Sequence, residues 1–464
     1  MNSMKETHYM LTVDQKSDFY KKMITIAIPV IIQNIISIGL GMADTMMVGK
    51  LGEDQLAGVG AANQLMWLSW GVIFGYFSGA VAHASQYWGA GNVHRVRNVL
   101  GLDLAVGLTA GAFTIVCTYL FGPQLVWLFS RDPVVIGYGV DYMRIVCFGQ
   151  MFSFLTFAFT YNCRVVQRLR VITSINCAVL FLNIFLNYCF IFGNFGFPRF
   201  EASGAAIATT ICRALELMAV IIYMVASKKH PLHCSPREMF DFHKDFAREV
   251  TKTAFPVVIT EVMFSVLGSA TFAIYGILGS AELAVVQVAE VVANMAQVIF
   301  FGLGNAAAVT IGGALGQNDP DRAVEYGRIS FKLSLILCAI TCAVIFMIAR
   351  PISGLYTDFE PSTIELLVKT LWVWSIITIP KMINYVIICG ILRAGGDTIF
   401  SLKIDLVGNL GMQVPLALLA VLVFKWPLYF CILFVSINDV VKCFMSITRM
   451  LSKKWINIYR QDYM

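Results

Sequence analysis

Long apolar runs alternate with short stretches that carry charged residues, prolines and glycines along the whole chain. An apolar run of about 20 residues forms a helix that can cross a hydrocarbon core of ~30 Å. The runs predict twelve membrane-spanning helices, at 24–48, 56–83, 97–121, 137–161, 171–193, 203–226, 252–275, 282–306, 328–349, 363–389, 401–424 and 428–450. The pattern therefore predicts an all-α membrane protein. We expect no cleavable signal peptide, because residues 1–22 are polar and the first apolar run is of full length.

The first part of the pattern recurs 227 positions later. The segment Ala27–Val30 returns as Ala254–Val257, and Gly49–Gly52 returns as Gly276–Gly279. One offset that holds over roughly a hundred residues indicates two related halves of six helices each, which we expect to form two pseudo-symmetric bundles. The predicted domains are an N-terminal lobe at 1–226, a cytoplasmic linker at 227–251 and a C-terminal lobe at 252–464. In a chain this apolar, paired halves are typical of transporters whose substrate lies between them.

Composition and charge agree with this interpretation. Hydrophobic residues make up 58% of the chain and charged residues 13%, whereas about a quarter of a soluble protein is charged. Lysines and arginines concentrate in the loops on one side of the predicted spans, which by the positive-inside rule places both termini in the cytoplasm. We therefore expect a multi-pass protein of the inner (cytoplasmic) membrane in contact with lipid. The net charge of +6 follows from the loop bias, so we expect no nucleic-acid partner.

Polar side chains fall on single faces of four predicted helices, although polar residues inside a membrane are costly. These stripes are Gln33, Ser37, Gly41 and Asp44; Asn176, Asn183 and Asn187; Gln287, Glu290, Asn294 and Gln297; and Asp405, Asn409 and Gln413. The stripes predict a wet cavity, with hydrogen bonding between helices as the alternative. The predicted substrate-cavity residues are Gln33, Asn34, Ser37, Glu261, Gln287, Glu290 and Asn294.

Three of these polar residues lie at a similar depth. At 1.5 Å per residue, Asn183 and Asn187 lie roughly 18 and 24 Å from the cytoplasmic start of their span, and Asp44 lies about 30 Å from its own. One carboxylate and two amide oxygens can hold a cation, and oxygen ligands suit Na⁺ or a proton. We expect Na⁺ or H⁺ as the coupling ion at Asp44, and no other metal. The alternative is that Asp44 is an interfacial carboxylate exposed to water.

Other buried charges are expected to be structural. Opposite charges spaced three residues apart on one helix can pair. This spacing holds for Asp141 and Arg144, for Arg213 and Glu216, and for Asp439 and Lys442. Lys381 and Asp405 are a further candidate pair, whereas Glu261 and Glu290 have no cation on their own helices. No nucleophile and base, phosphate loop or zinc spacing suggests catalysis, so we expect neither an enzyme nor a cofactor.

The segments that carry these residues resemble the multidrug and toxic compound extrusion (MATE) family of the MOP flippase superfamily. Pro29–Asn34 with Ala43–Gly52 resembles the first-helix signature, Leu182–Asn187 the fifth-helix motif, and Gly390–Asp397 the cytoplasmic turn after the tenth helix. The resemblance implies two six-helix bundles that export organic compounds, often cationic drugs, toxins or metabolites, in exchange for Na⁺ or H⁺ by alternating access. We expect such an antiporter to act as a monomer on small organic substrates.

The resemblance also implies roles for individual residues. The residues that match Asp44, Asn183 and Asn187 form the cation site of the N-terminal lobe, and the proline that matches Pro29 lies where the first helix can bend. A competing interpretation is that Pro29 simply begins the helix, where proline is well tolerated.

Two features depart from the family pattern or leave an alternative open. Some relatives have a second cation site, on acids whose positions are occupied here by Phe264 and Met382, so that site is not carried over. The alternative function is a flippase for lipid-linked oligosaccharides, which should have several cationic side chains in a central cavity; Lys381 is the best candidate here.

Overall fold

The computed structural model describes residues 12–356 and 360–459, and nearly all of them are helical. The helices are α1 (Val13–Gly49), α2 (Glu53–Gly89), α3 (Val93–Trp127), α4 (Pro133–Val165), α5 (Arg170–Phe192), α6 (Glu201–Ala226), the short α7 (Pro236–Met239), α8 (Lys244–Gly276), α9 (Ser280–Gly316), α10 (Pro320–Ser353), α11 (Pro361–Tyr385), α12 (Thr398–Asp405), α13 (Val414–Leu418), α14 (Leu428–Val435) and α15 (Ile437–Leu451). Within the described ranges, twelve helical segments are long and apolar enough to cross a membrane. The predicted all-α fold with twelve spans is confirmed.

The internal repeat is visible in the helix boundaries. Helices α2 and α9 begin at Glu53 and Ser280 and end at Gly89 and Gly316, which is the same offset of 227 at both ends. The capping residues before the next helices also correspond. The side chain of Asn92 accepts a hydrogen bond from the amide of Arg95 at 3.1 Å, and Asp319 accepts from the amide of Arg322 at 3.0 Å. The two halves therefore start their third helices with the same N-cap device.

Several helices extend beyond the predicted spans, because hydropathy detects only the apolar part of a helix. Helix α1 begins at Val13 rather than at residue 24. Its additional turns are polar on one side, where Lys22 pairs with Asp18 at 2.6 Å, and apolar on the other, where Phe19 is fully buried. The Phe19 ring packs against Tyr326 with centroids 4.5 Å apart. Side-chain pairing and tertiary packing thus stabilise turns that no membrane-span criterion selects.

The late helices contain π-helical stretches where the sequence predicts uninterrupted spans. These stretches are Val386–Leu392, Leu406–Gln413 and Leu419–Val423. A π-helical turn uses i→i+5 hydrogen bonds in place of the ordinary i→i+4 bonds, is rare and is frequently found at functional sites. The first precedes Arg393, and the second follows Asp405 and includes Asn409.

The described residues cluster into two compact units, each made of separate segments. The Asp44 unit comprises Pro29–Ala80 and Asn92–Val258, and the Glu261 unit comprises Val81–Gly91 with the described parts of Met1–Ile28 and Ile259–Met464. The chain passes between units within α1, α2 and α8, and the passage in α1 falls at Pro29. The predicted lobe boundaries at 226 and 252 stay a prediction.

The predicted linker is partly structured by its own side chains. Ser235 caps α7 by accepting from the amide of Glu238 at 3.3 Å, and Arg97 Nη1 pairs with the Glu238 carboxylate at 3.2 Å. His230 is buried, and burial lowers the pKa of His230 to about 4, so this imidazole is neutral at physiological pH. No group of three metal-ligating side chains occurs in the described parts of the chain.

Candidate functional site: a carboxylate and two amides in the membrane

Asp44, Asn183 and Asn187 lie together in the Asp44 unit, as their depths along α1 and α5 predict. The Asn187 amide nitrogen donates to Asp44 Oδ1 at 2.5 Å and to Asn183 Oδ1 at 3.0 Å. Asn183 in turn donates to Thr209 Oγ1 on α6 at 3.4 Å. The spacing of four residues places both amides on one face of α5, and their side chains are 1% and 0% exposed. The roles of the three residues in ion coupling stay a prediction.

The surroundings of Asp44 distinguish between the two interpretations of this carboxylate. Asp44 is half-buried and bonded to Asn187, which does not fit a freely hydrated interfacial group. Asn187 Oδ1 is buried and has no hydrogen-bond partner among the described residues. A buried acceptor without a donor is costly. Hydrogen bonds link the carboxylate, the two amides and the Thr209 hydroxyl, and the oxygen ligands that these groups offer suit a hard cation.

An ion pair lies within electrostatic range of this network. Arg213 Nη1 pairs with Glu216 Oε2 on the next turn of α6 at 2.8 Å, which confirms the predicted pair. The guanidinium is also within electrostatic range of Asp44. When both acids are ionised, two carboxylates and one guanidinium leave one net negative charge. Binding of one monovalent cation would neutralise the group.

The predicted cavity residues of α1 precede Asp44 on the same helix, by about 10 to 16 Å at 1.5 Å per residue. Gln33 Nε2 donates to Thr173 Oγ1 on α5 at 3.3 Å. Asn34 and Ser37 bond to backbone carbonyls one turn earlier on their own helix, at 2.8 Å and 2.9 Å. Ser37 is exposed, and Gln33 and Asn34 are half-buried. A substrate-binding role for the three stays a prediction.

The polar stripe of α9 lies on an open face in the Glu261 unit. Gln287, Glu290 and Asn294 are all exposed, whereas the neighbouring Ala289 and Ala293 are buried. This separation follows from helical periodicity, which directs the alanines into the core and the polar groups away from it. These three polar side chains are therefore exposed, and their role in binding substrate stays a prediction.

Lys381 on α11 is the basic residue that acts electrostatically on Glu290 of this stripe. Its ammonium lies 4.9 Å from the centroid of the Trp374 ring and within electrostatic range of Glu290 and Asp439. The expected pair of Lys381 with Asp405 is wrong, because Asp405 lies 3.0 Å from Lys442 instead. Lys442 also donates to Asn409 Oδ1 at 3.0 Å.

Two of the expected pairs within single helices do not form. Lys442 pairs with Asp405 from α12 rather than with Asp439 on its own helix. Among the described residues, Asp141 and Arg144 form no ion pair; the Arg144 guanidinium lies 6.0 Å from the centroid of Tyr119 instead. A spacing of three residues permits a pair but does not enforce one, because a partner on a neighbouring helix can compete.

Glu261 has a partner that its own helix does not supply. Arg393 Nη2 lies 2.9 Å from Glu261 Oε1, and the Arg393 side chain is 4% exposed. The sequence motif around Arg393 predicts a cytoplasmic turn and does not predict this contact. The signal that could have indicated it is an arginine within an otherwise apolar and glycine-rich motif. A cavity role for Glu261 stays a prediction, but its carboxylate is already engaged.

Asp103 on α3 was also missed. It is a single acid inside the predicted span 97–121, and its side chain is 2% exposed. An unpaired acid within an apolar run is the signal that could have identified it. Asn162 of α4 donates to its carboxylate at 2.7 Å.

Fold and site together define a multi-pass helical membrane protein with buried polar groups in both halves. The family model described as MatE matches residues 29–189 and 256–419. The chain therefore belongs to the MatE family of membrane transporters. The two matched segments begin at Pro29 and Pro256, the corresponding prolines of the internal repeat.

Relatives resemble this chain over nearly its whole length. A probable multidrug resistance protein NorM of Thermotoga maritima is 24% identical and covers 96% of this chain and 95% of its own length. A probable multidrug resistance protein YoeA of Bacillus subtilis is 26% identical and covers 87% of each chain. Among solved structures, the Vibrio cholerae MATE transporter VcmN in its bent form aligns with a TM-score of 0.84 at 18% identity, covering 96% of this chain and 100% of that one. This structural similarity supports the fold.

Proposed function

We propose that the protein is a secondary active antiporter of the inner membrane, which exports small organic compounds in exchange for Na⁺ or H⁺. The observation that carries the proposal is the Asp44 network, in which a half-buried carboxylate accepts from the Asn187 amide, whose own buried oxygen has no hydrogen-bond partner among the described residues. Membership of the MatE family and the similarity to proteins named for multidrug resistance support the substrate class.

The coupling follows from differential binding. A cation at Asp44 stabilises one arrangement of the first helix, and substrate favours the other. Each ligand then displaces the equilibrium that the other prefers, which produces antiport by alternating access. Pro29 supports this scheme, because a proline inside a helix leaves the carbonyl four residues earlier without its amide donor and so favours a bend.

The flippase alternative has less support. A lipid-linked oligosaccharide carries phosphate, and its binding needs cationic side chains that are not already neutralised. Arg393, Lys442 and Arg213 each pair with a carboxylate at 2.8–3.0 Å. Lys381 faces the charges of two acids. We therefore do not propose this function.

Dye transport by purified protein in liposomes tests the proposal. Ethidium movement should follow an imposed Na⁺ or pH gradient without nucleotide, and the gradient that works identifies the coupling ion. We propose that both termini are cytoplasmic and that the protein is monomeric; cysteine-labelling of the termini and the molar mass in detergent check these points. Absence of dye movement under both gradients, with correctly inserted protein, contradicts the proposed antiport.

A further inference from the structure

Asp103 on α3 differs from the other buried acids among the described residues. Glu216, Asp397 and Asp405 each pair with a lysine or arginine within 3.0 Å. In the described ranges no lysine, arginine or histidine forms an ion pair with Asp103. Its one printed hydrogen bond comes from Asn162 Nδ2 on α4 at 2.7 Å. Burial without a counter-ion disfavours a carboxylate, and such a group usually takes up a proton instead.

The unsatisfied atoms of this pair indicate where a proton would lie. Asp103 Oδ1 and Asn162 Oδ1 are both buried and have no hydrogen-bond partner among the described residues. The Asn162 amide nitrogen is fully used, because it also donates to the Ala158 carbonyl at 3.0 Å. Both unmatched atoms are acceptors, so a rotation of side chains within the pair supplies no donor. A proton on Asp103 Oδ1 turns an acceptor into a donor, and a carboxylic acid can bond to a primary amide through both of its oxygens.

The charged neighbours of Asp103 do not provide another explanation. On α2, the charge of Asp103 acts on Tyr76. The Tyr76 hydroxyl is hydrogen-bonded to Thr251 of α8 at 2.9 Å. On α4, Arg164 stacks over the Tyr161 ring at 4.4 Å from the centroid.

The short helix α7, which also packs against α3, carries two charged residues, Arg237 and Glu238. Glu238 is engaged at the start of α3 by Arg97. Asp103 lies about 15 Å along α3 from Val93, at 1.5 Å per residue. It is therefore well inside the span, away from the charges at the helix end.

We propose that Asp103 and Asn162 form a second proton-binding site, separate from Asp44, which carries one proton as a carboxylic acid in this conformation. When water reaches the contact between α3 and α4, the proton leaves Asp103 Oδ1 for water, and the remaining carboxylate keeps the bond from Asn162 at Oδ2. The use of this proton in transport depends on the proposed antiport. The existence of the bound proton does not.

Infrared difference spectroscopy of the full-length protein in lipid nanodiscs tests the bound proton. The wild-type spectrum minus that of Asp103→Asn should show the carbonyl stretch of a protonated carboxylic acid at neutral pH. The band should persist in Asp44→Asn and after exchange of sodium for choline. Asn162→Ala should move it to higher frequency, because the carbonyl loses its donor while the acid remains. The Asn162→Ala arm keeps the test available if Asp103→Asn does not fold.

Two infrared results overturn the proposal. Carboxylate bands alone at neutral pH would show that Asp103 is ionised, and loss of the acid band on adding sodium would identify a sodium site.

In liposomes, Asp103→Asn should lower the number of protons exchanged per substrate by one, and an unchanged ratio removes Asp103 from coupling. Failure of the wild type to transport under any gradient would instead contradict the proposed antiport, and the infrared bands would still decide the state of Asp103.

Discussion

The amide of Asn187 donates to the Asp44 carboxylate at 2.5 Å, while its own oxygen is buried without a hydrogen-bond partner among the described residues. Within this one amide, the nitrogen therefore has hydrogen-bond partners and the oxygen has none among the described residues. A cation held between this oxygen and the carboxylate would satisfy both. This arrangement makes Asp44 and Asn187 the first residues to test by substitution.

Asp44→Asn should abolish gradient-driven transport and leave folding and insertion intact. The substitution keeps the size of the side chain but removes the charge that binds a cation and changes on protonation. Dye efflux from liposomes measures the loss, and detergent-extracted yield and melting temperature measure folding.

Asp14→Asn is the matched control, because Asp14 is an exposed acid near the start of the same helix. It should transport like the wild type. Wild-type export rates in Asp44→Asn would show that coupling occurs elsewhere.

Asn187→Ala should weaken coupling less than Asp44→Asn and more than Asn183→Ala. Each change removes one neutral oxygen and leaves the charge, but only Asn187 bonds directly to Asp44. Groups that position the ligands of a metal site typically contribute ten- to a hundredfold in affinity, so the apparent Na⁺ affinity should fall by roughly that factor. The ion concentration for half-maximal dye efflux measures this change. Equal effects of the two alanines would contradict the ranking.

Local sequence information predicted the helices and the convergence at Asp44 but not the contacts of the Glu261 unit. Asn183 and Asn187 are four residues apart on one helix, so their common face follows from periodicity alone. Glu261 and Arg393 are far apart in sequence, and Arg393 follows a π-helical stretch that no hydropathy pattern indicates. Partners on different helices depend on how the helices pack, and a single sequence does not contain that information.

Arg393→Met should destabilise the protein by about 3 kcal/mol, the lower end of the range for a broken buried pair, because it leaves the half-buried Glu261 without its counter-charge. Addition of Glu261→Gln should recover much of the loss, since the remaining group is neutral. Thermal unfolding followed by fluorescence in detergent measures both variants. If the double variant is no more stable than Arg393→Met alone, the pair does not account for the destabilisation.

Glu290→Gln should weaken export of cationic compounds and spare neutral ones, because Glu290 is an exposed acid on the polar stripe of α9. A charge contact in a partly hydrated setting is worth about 1 kcal/mol, which is roughly fivefold in affinity. Lys381→Met should have the opposite effect on cations, because it removes a positive charge that acts on Glu290. Competition between ethidium and a neutral dye measures the selectivity. Equal losses for both dyes in Glu290→Gln would indicate a structural role.

Helix α1 begins at Val13 and continues to Gly49, so Pro29 lies within the helix and the interpretation that it begins the helix is wrong. Pro29 is also the residue at which the chain passes from the Glu261 unit to the Asp44 unit. As proline has no amide hydrogen, the Thr25 carbonyl lacks its helical donor, and bending at this point costs little.

Pro29→Ala should slow transport and largely retain cation binding, because alanine restores the missing hydrogen bond and stiffens α1 without touching Asp44. Single-turnover dye efflux measures the rate, and carbodiimide modification of Asp44 measures binding, because bound Na⁺ should slow this reaction and protonation should speed it. Pro123→Ala is a suitable control, since Pro123 is an exposed proline inside α3, and it should leave the rate unchanged. Loss of cation binding together with rate would mean that Pro29 shapes the Asp44 site itself, and a normal rate would remove Pro29 from the mechanism.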